Sequence, residues 1–197
     1  MVDIHQAIRK KFGMNREVDN LPWGTGRKYN RYHLAQLFGE LGFNEGAEIG
    51  VRRGAYSIAL CKANPNLHLR CIDPWEAYSN KYTTRRQELI YQEAVRNLAP
   101  YHVTIIRKRS LDALGDVPDR SLDFIFIDGH HGFDYAAPDI IFWSKKVKSG
   151  GIVSVHDYYA FGWSGVVQAV NGYVQSHHID PWYCLKEYEP TAFWVNP

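Results

Sequence analysis

Cysteine is scarce, with only Cys61, Cys71 and Cys184 in 197 residues. None stands in a C-x-x-C or Cys/His finger spacing, and an odd trio builds no disulfide scaffold, so a structural zinc site and a disulfide framework are both excluded. Reduced thiols and a cytoplasmic setting are expected. Long apolar runs are missing too. No stretch approaches the roughly 18 apolar residues of a membrane helix, and the opening MVDIHQAIRKKFG has no apolar signal core. Neither a membrane span nor a signal peptide is expected. Charge of one sign is not in excess, since 23 Lys and Arg face 21 Asp and Glu. That balance argues against a dedicated nucleic-acid binder. Repeats and low-complexity tracts are absent, and a hydrophobic share of 45% argues against disorder.

What is present alternates. Residues 13–28 (GMNREVDNLPWGTGRK) are polar and turn-rich, so residues 1–28 read as an N-terminal segment or lid ahead of a domain over 29–197. Tyr32, Leu34, Leu37, Phe38 and Leu41 have helical spacing, with Gly42 where a helix stops. Strands are expected at 47–50, 67–73, 102–107, 121–128, 151–157, 183–187 and 192–195. Helices are expected at 55–63, 84–98, 134–147 and 164–177. Strands such as IFI and GIVSV are apolar on both faces, the mark of a parallel sheet covered by helices on each side. The repeated alternation predicts an α/β, Rossmann-like three-layer sandwich. Ligands in such folds bind beyond the carboxyl ends of the strands. Those ends carry Glu48 and Gly50, Asp73, Ser110, Asp128, and His156 with Asp157.

The first turn reads Glu48-Ile-Gly50-Val-Arg-Arg-Gly54. Its glycines allow a tight turn and close approach of a ligand to a helix start. It lacks the dinucleotide pattern G-x-G-x-x-G, because position 52 is Arg. A carboxylate at Glu48 would repel a pyrophosphate but attract a cationic amino-acid group. Asp73, ending the second strand, is where a carboxylate accepts ribose hydroxyls. The plain alternative is a strand-to-helix turn with no ligand. With its E/D-x-G-x-x-x-G motif, the stretch over about 45–160 resembles the class I S-adenosylmethionine (SAM) methyltransferases. That resemblance implies a seven-stranded, mostly parallel sheet whose last strand is inserted antiparallel. It also implies that Glu48, Gly50 and Gly54 hold the methionine end of SAM and Asp73 its ribose. Ser110 would lie near the adenine, and Trp75 would either pack on the purine or belong to the core. Relatives often have Ser two residues after the last Gly; here Tyr56 stands there and Ser57 follows, leaving either hydroxyl as a candidate.

A second constellation combines IDGHHGFDYAAPDIIFW (127–143) with GGIVSVHDY (150–158). Adjacent parallel strands would bring Asp128 close to His156 and Asp157. Carboxylates and imidazoles converging on one point suggest a divalent metal. The alternative is a helix cap plus a satisfied histidine, and Asp134 and Asp139 are read that way, as first-turn or surface residues. The pattern resembles the metal-assisted sugar O-methyltransferases of the macrocin and mycinamicin type, with D-G-x-H-x-Y and G-G-x-x-x-x-(H/D/E)-D-Y. Phe133 replaces their Tyr. The resemblance implies magnesium or manganese at Asp128, His156 and Asp157, with His131 as base. Imidazole at 156 shifts the preference toward manganese or a softer ion, or else His156 only supports the ligands.

His177 and His178 read as exposed or capping residues, and the basic runs at 9–11, 107–109 and 145–148 as solvated faces. Tyr158, Tyr159, Phe161 and Trp163 wall an acceptor pocket or pack a loop. The leading expectation is a SAM-dependent, metal-assisted O-methyltransferase for a small hydroxylated molecule, a sugar among them. It needs neither nucleic acid nor membrane, and it is compatible with a homo-oligomer. The alternatives are a SAM-binding protein without transfer activity, and a metal-dependent hydrolase or oxygenase using the His/Asp cluster.

Overall fold

The computed structural model describes residues 3–14, 23–24, 28–159 and 161–197. Helix α1 (Ile4–Phe12) starts where the Asp3 carboxylate accepts the Gln6 amide and ends at Gly13, in the left-handed region. Ile8 and Phe12, one turn apart, are buried in the main core. Phe12 meets Tyr29 and Phe193 with ring centroids 5.4 and 5.8 Å apart. Thus the start of the N-terminal segment packs with the domain. The lid expected over 13–28 falls largely on residues 15–22 and 25–27, outside the described residues.

The remaining elements alternate. They are β1 (Trp23–Gly24), α2 (Arg31–Glu40), β2 (Glu45–Ile49), α3 (Ala55–Ala63), β3 (His68–Ile72), α4 (Thr84–Leu98) and β4 (Val103–Ile106). After a 3₁₀ turn at Leu111–Asp116 come β5 (Leu122–Ile127), α5 (Phe133–Trp143), β6 (Val147–Val155), α6 (Val166–Ser176), β7 (Trp182–Leu185) and β8 (Thr191–Val195). One sheet runs in the order β1-β7-β8-β6-β5-β2-β3-β4. Every pairing is parallel except those of β8, which is antiparallel to both β6 and β7. A short connection suffices for the antiparallel β7–β8 return, whereas parallel neighbours need crossovers. The seven main strands and the inserted last strand match expectation; the two-residue β1 extends the edge.

Strand side chains alternate between two cores. Phe124 and Phe126 face the layer of α1 to α4, while Ile125 and Ile127 face α5 and α6. The β6 strand begins earlier than its sequence suggests, because Val147 pairs with Leu122 before the register shifts to Phe124–Ile152. The shift falls where Gly151 passes so close to Asp123 that a Cβ would sit 2.5 Å from that carbonyl oxygen. Accordingly α5 stops at Trp143 rather than running to 147. Among the described residues no helix is long and apolar enough to cross a membrane. All three cysteines are free and buried.

Candidate active site

Strands β3, β2, β5 and β6 are consecutive in the sheet, so their carboxyl ends form one rim. Beyond β2 the chain turns through Gly50 (φ 91) and Gly54 (φ 79) into α3. A Cβ at Gly50 would lie 1.9 Å from the Asp128 carbonyl oxygen, so only glycine fits there. The turn after β2 and the loop after β5 therefore touch backbone to backbone. Glu48 is buried beneath this contact and accepts a hydrogen bond from the Ser57 hydroxyl. Burial pushes its carboxyl up to about 8. The Tyr56 hydroxyl donates to the Arg31 carbonyl at 2.9 Å. Both hydroxyls considered at the end of the turn are thus engaged within the protein.

Asp73, just past β3, accepts the Arg52 and Trp75 amides at 2.9 and 2.8 Å. Burial nevertheless raises its carboxyl above the ordinary value. Trp75 is 2% exposed. Its indole donates to the Arg52 carbonyl at 2.8 Å, and its ring lies 5.0 Å from that of Tyr91. Trp75 thus belongs to the main core cluster. The Ser110 hydroxyl donates to Asp139 and accepts the Trp143 indole N–H at 2.7 Å. Asp139 corrects the sequence reading: it is not a surface helix residue but 5% exposed, with burial pushing its carboxyl to about 6. Helical spacing hid this, since its partner Ser110 belongs to a different loop. Asp134, by contrast, is exposed in the first turn of α5.

Asp128 follows β5, and His156 and Asp157 follow β6, next to it in the sheet. His131 Nε2 lies 2.9 Å from Asp157 Oδ2 and 3.9 Å from Asp128 Oδ1. His156 Nδ1 lies 3.5 Å from each of those oxygens. The carboxylates of Asp128 and Asp157 raise the His131 imidazole to about 9. Although burial opposes it, the neighbouring imidazoles of His131 and His156 hold both carboxyls below the ordinary range. Asp157 has φ 58, a left-handed conformation unusual for a residue with a side chain. The structure brings Asp128, His131, His156 and Asp157 together, as the sequence anticipated.

Among the described residues, two donor groups could hold a cation. One comprises Asp128, His131 and Asp157, the other His156, Asp157 and Glu189, with ligand atoms in each group within 4.8 Å of one another. The Nδ1 of His156 is buried without a hydrogen-bond partner among the described residues. Carboxylate oxygens with a neighbouring imidazole and an orphaned buried nitrogen fit a divalent ion. Three nearby residues escaped the sequence reading: Arg31, Glu187 and Glu189. Arg31 Nη1 is 2.6 Å from His156 Nε2, across 125 residues of chain. No local spacing signals so distant a contact.

Phe161 and Trp163 flank the candidate base, with ring centroids 5.7 and 6.4 Å from His131. Trp163 is 65% exposed. Tyr158 instead packs outward, with its hydroxyl on Asn171 and its ring against Trp182. His177 and His178 are exposed as expected. Residues 107–109 of the basic runs pair with Glu88, Asp116 and Glu76, and Lys146 and Lys148 pair with Asp119 and Asp123.

The sheet order, the glycine turn after β2 and the acidic rim define a class I methyltransferase architecture. The family model of the methyltransferase domain matches residues 47–158, more than half of the chain, and the protein belongs to that family. Solved structures share the fold across nearly the whole chain. TomG, an O-methyltransferase from Streptomyces achromogenes involved in tomaymycin synthesis and solved with SAM, has 20% identity and a TM-score of 0.60, covering 98% of this chain and 90% of its own. The O-methyltransferase NovP has 18% identity and a TM-score of 0.65, covering 84% and 79%. A Staphylococcus aureus protein with the provisional name caffeoyl-CoA O-methyltransferase has 20% identity and a TM-score of 0.62, covering 100% and 93%. No curated protein matches the sequence.

Proposed function

We propose that the protein is a SAM-dependent O-methyltransferase assisted by a divalent ion, acting on a small hydroxylated acceptor such as a sugar. One observation carries this reading: the backbone contact of Gly50 with Asp128, which sets the glycine turn directly against the acid–base cluster. A methyl donor held by that turn would have its reactive end beside Asp128, His131 and Asp157. In this reading Glu48, Gly50 and Gly54 receive the amino-acid end of SAM and Asp73 the ribose. Trp75 props the turn through the Arg52 carbonyl, and Ser110, fixed by Asp139 and Trp143, borders the adenine. The family match and neighbours named as O-methyltransferases, one of them holding SAM, support the assignment. Buried free thiols suit a reducing cytoplasm.

Asp128 and Asp157 would hold the ion, with His156 as the third ligand expected from the sequence. Such an ion, when bound, lowers the pKa of an acceptor hydroxyl and orients it. With the charge of Asp128 and Asp157 taken up by the ion, the influence that raises His131 to about 9 would be relieved, and the neutral ring would take the hydroxyl proton as general base. With Nε2 directed at Asp157, the lone pair for that proton is on Nδ1. Asp157 orients the ring and stabilises the imidazolium that results. Phe161 and Trp163 would offer flat apolar faces to the acceptor ring. Methyl transfer requires the oxygen, the methyl group and the departing sulfur in line, so positioning supplies much of the rate.

Thermal unfolding with SAM, S-adenosylhomocysteine or NAD, each with and without magnesium or manganese, tests the cofactor. At a hundred times its dissociation constant a native-state ligand adds about 2.7 kcal/mol, raising the midpoint by roughly 5–10 °C. A rise with both adenosyl ligands and none with NAD is expected. Asp128→Ala should keep the SAM-induced rise and abolish methyl transfer from labelled SAM to a panel of sugars and catechols. Undiminished transfer by that variant would overturn the role given to Asp128.

A further inference from the structure

Exposed arginines need no protein partner, because water serves their charge, but a partly buried guanidinium calls for one. Arg53 and Arg70, both partly buried, each meet a glutamate, at 2.8 and 2.7 Å. Arg31, the first residue of α2, is partly buried too and departs from that pattern. No carboxylate lies within salt-bridge distance of its guanidinium among the described residues. The guanidinium instead reaches the His156 ring at 2.6 Å, and its carbon lies 5.9 Å from the ring centroids of both Tyr32 and Tyr56. Its Nε is buried with no hydrogen-bond partner among the described residues. Asp128 and Glu187 favour the charge only from farther off.

This cation is also fixed in place. The Arg31 amide donates to the Glu187 carboxylate and its carbonyl accepts the Tyr56 hydroxyl, both at 2.9 Å. On the other side of the His156 ring stand Asp128 and Asp157, each with an oxygen 3.5 Å from that ring. One imidazole therefore separates the guanidinium from the acid–base cluster. A molecule whose hydroxyl lies at Asp128, His131 and Asp157 passes Arg31 within its own length.

We infer that Arg31 is a specificity-determining residue that binds a carboxylate on the acceptor, so that the substrates are hydroxy acids rather than neutral alcohols. With Nε covered, the carboxylate meets the outer edge of the guanidinium, where Nη1 and Nη2 can donate two parallel hydrogen bonds. One cation is matched by one negative charge. A phosphate would bring up to two, next to Glu187 and Glu189, and is disfavoured for that reason. This inference deepens the function proposed above and rests on it for the place of the reacting hydroxyl. An ion held by Asp128 and Asp157 would also draw on the charge that now steadies Arg31 from a distance, which strengthens the need for a ligand anion.

Pairs of near-identical shape test this: 3,4-dihydroxybenzoate against 3,4-dihydroxybenzamide, and glucuronate against glucuronamide. Calorimetry with S-adenosylhomocysteine and magnesium present gives the affinities, and labelled SAM gives the transfer rates. For at least one pair the wild type should favour the acid at least about tenfold, the value of a charge-assisted hydrogen bond. Arg31→Met should bring the acid-to-amide ratio close to one, and Arg31→Lys, which keeps the charge but not the fork, should fall between. A purely structural role for Arg31 would lower acid and amide together and leave the ratio unmoved. A wild-type ratio near one in both pairs, no binding of either acid, or an unchanged ratio in folded Arg31→Met would each overturn the proposal. So would tighter binding of glucose 6-phosphate than of glucuronate. Should Arg31→Met fail to fold, the wild-type ratio and Arg31→Lys decide. Arg31-dependent binding of the acids without methyl transfer to any of the four would keep the carboxylate site and overturn the transferase reading. Transfer to amides as fast as to acids would do the reverse.

Discussion

Glu48 shows what one buried side chain imposes. Its carboxyl titrates at about 8 in the folded protein against 4.5 ordinarily, because burial disfavours the charge. Below pH 4.5 both folded and unfolded chains hold this proton. Between 4.5 and 8 the unfolded chain releases it and the folded chain keeps it, so stability falls as pH rises through that window and levels off above. Relative to Glu48→Gln, the wild type should lose up to roughly 5 kcal/mol across it. Urea unfolding of both proteins at several pH values measures this, and parallel curves would refute it. A cationic ligand on Glu48 would reverse the trend by drawing the proton off. SAM binding near pH 7 should therefore release a proton, detectable as a buffer-dependent binding enthalpy. At this scale the sequence was readable where strand ends place the candidate residues, as at Glu48, Asp128, His156 and Asp157. It was unreadable for Asp139 and Arg31, whose roles come from partners on other loops and cannot be inferred from helical position.

Among the elements, α1 is the instructive case. Asp3 before the helix, Gly13 after it and Ile8 and Phe12 one turn apart mark a helix that the reading of residues 1–28 as a segment or lid did not include, and the short polar stretch offered no reason to expect a partner face. The partner is Phe193, on a strand at the far end of the chain. Phe12→Ala should cost about 3–5 kcal/mol, since it empties a fully buried aromatic site. Denaturant titration checks this, and a loss below 1 kcal/mol would mean that α1 is only loosely docked. The central strands were plain because burial on both faces leaves continuous apolar runs. The β1 pairing was hidden, because two residues in a turn-rich stretch carry no periodicity. The early start of β6 was equally obscure, as a bulge breaks the alternation that marks a strand.

For the molecule as a whole, one sheet is shared by two cores, and its strands cannot lose one face without the other. Trp75 lies in the core toward α1–α4, while Trp143 and Trp194 lie in the core toward α5 and α6. Tryptophan fluorescence, which samples both sides, should therefore change together with far-ultraviolet circular dichroism in one cooperative transition. Separated midpoints would show that the layers unfold independently. The layer architecture itself followed from the sequence, because strand and helix alternate so regularly. The convergence of α2 and the β7–β8 connection on the site did not follow, being a product of how the finished sheet stacks distant segments.

Asp157, at φ 58, has a bearing on descent. Its backbone conformation suits glycine or asparagine better than aspartate, and the two imidazoles beside it are what favour the charge. Should a lineage lose His131 or His156, that counterweight disappears, and drift toward a neutral or side-chain-free residue at 157 becomes the downhill path. Abandoned chemistry would then be recorded in a fixed order, with histidine going first and the aspartate after it. A homologue that retains the glycine turn but has Gly or Asn here would be recognisable as a binder descended from a catalyst.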